Sequence, residues 1–375
     1  MTAGLRALQK FSGKNGPMIP GTLIEEVRWN CDIASAGQSG HFSLCGMLLR
    51  LRQLYKWEHG LAPWQEPEVE AVLAWIARRE STWDDLEEAS WRDLAWGDAA
   101  IDPFAVETLN AHLIPQKLAY GAGLSRGLTP TFFLGELLEE RRIGGLTILV
   151  LGPELARDLD ASPALCQGTL IYARRQALAF YLWDRLSDPT QQGNAYLQLA
   201  LQAHNLRLKE LVRDPEACQE QFQAFLAGEL EAVIRHETGE AMEPSLKAAF
   251  PEVLERFPQT RVELFVRTLK DALADVNEWG RLAYIISEQN LPSLAVMLAW
   301  RPGLMPALLP ELTPGFEKFM ATGDWGAMEQ ARQQALARLR ETAQGLNALL
   351  EATEAASDQW LQDEIKRCYL APLGL

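Results

Sequence analysis

Long apolar runs are missing from this 375-residue chain. Stretches such as Leu146 to Leu151 (LTILVL) fall far short of the ~18 residues that a membrane-spanning helix needs, so no membrane partner is expected. Positive charge is in deficit: 35 Lys and Arg stand against 50 Asp and Glu, a formal net charge of −15. Such a field repels phosphate backbones, and the basic residues come in pairs such as Arg141–Arg142, not in stripes. Nucleic acid is therefore not expected as a partner. Cysteine is sparse. Cys31, Cys45, Cys166, Cys218 and Cys368 are odd in number and scattered, with no C-x-x-C, which excludes a disulfide scaffold and suits free thiols in a reducing compartment. No apolar stretch follows the first basic residues, so a secretory signal is not expected and the localisation read from the sequence is cytoplasmic. The G-x-G-x-x-G, G-x-x-x-x-G-K-[ST] and H-E-x-x-H spellings are absent too, which removes common nucleotide-binding and metalloprotease signatures.

What is present is the composition of an ordinary globular protein, 48% hydrophobic and 23% charged. The pattern predicts a mainly α protein: an α+β part with a small sheet over 1–190, then an all-helical part over 191–375, expected as an antiparallel helical bundle. Thr22 to Cys31 reads as a strand, with Leu23, Val27, Trp29 and Cys31 on one face. Leucines at helical spacing predict a helix over 41–59 that stops at Gly60 and Pro63, and a second helix follows over 66–80. Residues 81–102 read as short turns. Asp102-Pro103 is expected to start a helix that runs to Ala119. Thr131 to Leu134 and Leu146 to Leu151 read as strands. Ser162-Pro163 is expected to open a helix to Leu186, with a strand over 169–173 as the alternative. Beyond Gly193 the periodicity predicts helices over 194–213, 215–243, 259–288, 324–355 and 356–369. Pro292, Pro302, Pro306, Pro310 and Pro314 allow only short helical turns between.

Three constellations carry chemistry. Gly37-Gln38-Ser39-Gly40 reads as a helix start whose free N–H groups favour an anion, but without a phosphate-neutralising lysine it has the look of an ordinary turn. On the helix 41–59, His41, Cys45, Arg52 and Tyr55 share one face with Leu48 and His59. His41 and Cys45 would serve as metal ligands or as base and thiol, with Arg52 lowering the thiol pKa; the plainer alternative makes Cys45 a small core residue and pairs Arg52 and Tyr55 elsewhere. On the helix 215–243, Phe222, Leu226, Leu230 and Val233 form an apolar arc. Glu237 projects into it, so Glu237 is expected buried and Arg235, ~200° away, exposed. Glu229, His236, Glu240 and Glu243 lie on the edge. His236 and Glu240 at i and i+4 have the spacing by which one helix gives two ligands to one metal. Further ligands would come from other helices, with His204, Glu210 or Glu58 the available types. The alternative is a salt-bridge cluster with Arg174, Arg175 or Arg267, because structural ion pairs perturb carboxylates as active sites do.

The runs RWNCDI at 28–33, FSLCG at 42–46, LYKWEHGL at 54–61 and RHETGE at 235–240 resemble those of a family of uncharacterised bacterial cytosolic proteins. That resemblance implies a bacterial cytosolic origin and transfers no activity and no catalytic residue. Two functions of different class are expected. The first is a non-catalytic interaction or regulatory module whose tryptophans and acidic field recognise a protein partner or a second copy of the chain. The second is a metal-binding helical protein, a hydrolase or redox enzyme, with a divalent metal as cofactor held by Glu229, His236, Glu237 and Glu240.

Overall fold

The computed structural model describes residues 21–38, 40, 42–86, 88–124, 129–246, 248–352 and 357–374. The chain divides into two units, one ending at Pro189 and the other beginning at Thr190.

The first unit starts with a helix, α1 (Gly21–Gln38), where the sequence suggested a strand. Leu23, Ile24, Val27, Asn30, Cys31 and Ala34 are buried, a spacing of three and four that a two-residue period cannot produce, and Glu25 on the would-be apolar face is exposed. Gly37 and Gln38 therefore end a helix instead of opening one. The next helix, α2 (Leu44–Glu58), is capped by Ser43, whose hydroxyl accepts from the Gly46 N–H. Ser39 and His41 lie outside the described residues. Helix α3 (Val69–Asp84) follows, then a hairpin of β1 (Leu94–Trp96) and β2 (Ala99–Ile101).

The helix expected to run from Asp102 to Ala119 is only α4 (Val106–Leu113). Pro115 sits in a 3-10 turn after it, and Lys117 turns left-handed (φ 60°) before a strand begins. The strands β3 (Leu118–Leu124), β4 (Pro130–Ile143), β5 (Leu146–Arg157), β6 (Ala164–Gln167) and β7 (Leu170–Arg174) form a mixed sheet in the order β3-β4-β5-β7-β6. Only β5 and β7 run parallel. The helix expected from Ser162 is thus two strands as far as Arg174, turned at Gly168 (φ 58°), followed by α5 (Arg175–Ser187). Helices α1 and α4 pack on the sheet, sharing a buried core that includes Phe132, Phe133, Leu149 and Tyr172.

Among its described residues the second unit contains helices and no strand. Its helices are α6 (Ala195–Gln202), α7 (Leu208–Arg213), α8 (Gln219–Met242), α9 (Ala249–Arg256), α10 (Arg261–Val276), α11 (Arg281–Ser287), α12 (Leu291–Ala299), α13 (Met305–Leu308), α14 (Leu312–Thr322), α15 (Gly326–Ala352) and α16 (Asp358–Ile365). Two of the long predicted segments are broken: 194–213 turns at Asn205 (φ 55°), and 259–288 turns between Asn277 and Gly280. Among the described residues no helix is long and apolar enough to cross a membrane. None of the five cysteines takes part in a disulfide.

Candidate functional site

Helices α8 and α10 approach each other closely because Gly239 has no side chain. A Cβ there would lie 2.1 Å from the Ala274 carbonyl oxygen, and the Asn277 amide donates to the Gly239 carbonyl at 2.7 Å. This contact brings His236 within reach of the next turn of α10: its Nδ1 lies 2.8 Å from Asp275 Oδ1. Asp275 is buried, and its other oxygen accepts from Arg281 Nη2 at 2.7 Å. A carboxylate anchored by an arginine thus orients the imidazole, leaving Nε2 as the free ring nitrogen.

His236, Glu240 and Asp271 each offer one donor atom, and the three lie within 4.8 Å of one another. Lys270 reaches across to pair with Glu240, and its ammonium lies 4.3 Å from the centre of the Phe250 ring. Beside Glu240 and Lys270 opens a cavity of about 200 Å³ whose other walls include Phe250, Pro251 and Leu273. Asp271 and Glu237 make no hydrogen bond or ion pair among the described residues.

Charge crowding shows in the proton affinities. Burial pushes the Glu237 carboxyl up to about 7, with Glu240 and Asp271 adding to the rise and His236 opposing it. Burial likewise raises Asp271, aided by Glu240 and Asp275. For His236, burial works against the imidazolium, but Asp275 outweighs it and raises the group to about 10. Asp275 is held below the usual carboxylate range by Arg281 and His236, against its own burial.

Two expectations for α8 need correction. Glu237 is half-buried instead of fully buried, and Arg235 is half-buried instead of exposed, Arg235 pairing with Glu231 at 2.9 Å and lying over the Tyr284 ring. The buried face runs through Phe222, Phe225, Glu229, Ala232 and Gly239. At ~100° per residue this puts His236 near its mid-line and Glu237 about 100° away. Leu230 and Val233, which suggested the other face, are only partly buried. Glu229 does not join the cluster: it is buried two turns earlier and accepts from Ser293 Oγ of α12 at 2.9 Å.

Burial pushes Glu229 up to about 7, against the Ser293 hydrogen bond. Because the folded state holds this proton more tightly than the unfolded chain, stability is greatest below the ordinary carboxylate pKa and falls as pH rises toward 7. Glu229→Gln is expected to gain on the wild type between pH 5 and pH 8, by on the order of 2 kcal/mol at the upper end. Denaturant midpoints at the two pH values check this; an equal difference at both would show that Glu229 does not titrate in this range.

The other sequence candidates scatter. On α2, Cys45 is exposed and not a core residue, Arg52 pairs with Glu66 and Asp184, and Tyr55 is buried, stacked on His59 at 3.9 Å. His204 meets Phe225 edge-on, Glu210 pairs with Arg207, and Glu58 pairs with Arg79. Arg174 and Arg267 are held by Glu154 and Glu263. The cations at the cluster are Lys270 and Arg281 instead. Asp271 and Asp275 were missed; their signal is an i, i+4 acidic pair on a helix whose apolar face is otherwise continuous. A G-x-S-x-G spelling, Gly123 to Gly127, was also missed. It falls between β3 and β4, which pair antiparallel, whereas a nucleophile elbow needs a strand followed by a helix; residues 125–127 lie outside those described.

No curated protein and no solved structure matches the chain. Residues 22–174 match the N-terminal domain, and residues 179–367 the C-terminal domain, of a family of unknown function, DUF6866. The two matches lie in sequence order and take in most of the chain, so this protein belongs to the DUF6866 family.

Proposed function

We propose that the second unit binds a divalent metal ion through His236, Glu240 and Asp271. The observation that carries this reading is the cluster of donor atoms from His236, Glu240 and Asp271 within 4.8 Å of one another, Asp271 having no hydrogen bond or ion pair among the described residues, with the imidazole fixed by Nδ1 through the Arg281–Asp275–His236 relay. Metal-ligating histidines are held in this way by a second carboxylate. One imidazole and two carboxylates suit zinc, iron or manganese. A cation would also relieve the repulsion among Glu237, Glu240 and Asp271, and its arrival would release Lys270 from Glu240. Three protein ligands leave coordination positions open, as in hydrolytic and redox centres and unlike closed structural sites. A metal-dependent hydrolase or redox enzyme is the class of activity that follows.

Metal analysis of the purified protein tests this. About one zinc, iron or manganese ion per chain is expected, lost in His236→Ala and in Asp271→Asn, with chelator lowering the melting temperature of the wild type but of neither variant. A metal-free protein that binds neither Zn²⁺ nor Mn²⁺ and melts identically in chelator would overturn it. That outcome would favour a protein-docking module, for which exposed Leu44, Leu48 and Leu49 on α2 and Val69 and Leu73 on α3 supply apolar surface.

A further inference from the structure

A second cavity, of about 190 Å³, lies in the first unit among α1, α2, α3 and the end of β5. Arg157, the last residue of β5, lines it with a side chain only 1% exposed. Its Nε and Nη1 have no hydrogen-bond partner. The nearest carboxylate oxygen, Glu154 Oε2, is 3.8 Å away, beyond hydrogen-bond distance and itself without a hydrogen-bond partner, while Glu154 Oε1 accepts from Arg174. Arg28, on α1, donates from Nε and Nη2 to the Leu155 carbonyl at 3.0 and 2.9 Å and forms no ion pair among the described residues. Two guanidiniums therefore reach one cavity without a carboxylate hydrogen-bonded to either. The third, Arg79, is neutralised by Asp32 and Glu58.

A buried guanidinium with unmade hydrogen bonds is costly, and native proteins rarely keep one without a reason. We propose that this cavity is a binding site for a small organic anion, whose carboxylate or phosphate group accepts hydrogen bonds from Arg157 and Arg28. Leu54 and Trp57 give it apolar wall. A cavity of roughly 150 Å³ suffices for benzene, so this one has room for a ring bearing an acidic group. Burial draws the Arg157 guanidinium down to about 10, still charged at neutral pH, and an anion would restore what burial takes away. Asp32 and Glu58 also line the cavity, both paired with Arg79, and Cys31 donates its thiol to the Phe132 carbonyl, with burial raising it well above the usual thiol range. A thiol in that state is no nucleophile, so the site binds and does not react covalently.

The test uses the full chain with two probes, sodium benzoate and inorganic phosphate, each compared with chloride at equal ionic strength. Calorimetric titration is expected to show one probe bound in the millimolar range or tighter, with a rise of a few degrees in melting temperature at saturating probe. The probe that binds names the acidic group. Arg28→Gln, at a partly exposed position, should weaken that binding about tenfold or more, consistent with loss of a charge-assisted hydrogen bond, as should Arg157→Gln if it folds. Arg267→Gln, in the other unit, should leave binding unchanged. No heat and no melting shift from either probe at 20-fold above the millimolar range, or equal binding in Arg28→Gln, would overturn the proposal.

Discussion

Gly239→Ala is expected to destabilise the second unit by about 3 kcal/mol or more, a fall of about 10 °C in melting temperature. The added Cβ would stand 2.1 Å from the Ala274 carbonyl oxygen and 2.9 Å from Gly280 Cα. Both are backbone atoms of packed elements, so no side chain can swing away to make room. The helices must part, which breaks the Asn277 hydrogen bond to the Gly239 carbonyl and draws His236 away from Asp275. The same helix supplies a control. Gly228 has only Ser293 Oγ within 4 Å of its missing Cβ, at 3.8 Å. Gly228→Ala is expected to stabilise by about 0.5–1 kcal/mol, through helix propensity alone. Thermal melts of the two variants check the pair. Equal melting temperatures would show that α8 and α10 do not approach this closely.

Glu154→Gln is expected to lower stability of the first unit by about 3–5 kcal/mol, because it strips the counter-charge from two buried arginines at once. The Glu154 side chain is wholly buried, with Arg174 Nε hydrogen-bonded to it and Arg157 beyond. Arg174 lies against the Phe133 ring, 4.2 Å from its centre, and cannot reach water. The double substitution Glu154→Leu with Arg174→Met is expected to be milder than Glu154→Gln alone: it leaves one unpaired guanidinium where the single change leaves two. Urea midpoints of the three proteins decide this. A double variant less stable than the single one would mean that Arg174 is held chiefly by packing and by the Ser162 carbonyl.

What the sequence determined by itself is everything that local spacing encodes. The leucines of α2 and its stop at Gly60, the apolar runs of β4 and β5, and the helical periodicity of the C-terminal half all report burial on one face of one element. Where two periods fitted a short segment, the choice was made by what packs on it. Helix α1 buries Ile24 and Ala34 beside Leu23 and Val27 because it lies against the sheet along its length, and no count over ten residues can show that. Breaks at Pro115, Gly168 and Asn205 likewise depend on neighbouring chain that rewards a turn. The site residues were least legible. His236 and Glu240 share a face by spacing, but Asp271, Asp275 and Arg281 join them from other helices across a contact that only Gly239 permits. Arg157 and Arg28 meet in one cavity although 129 positions separate them in sequence, 157 less 28. Charges buried in this way depend on long-range packing, because a carboxylate or guanidinium leaves water only where distant elements supply its partner, and that supply is decided in the tertiary structure.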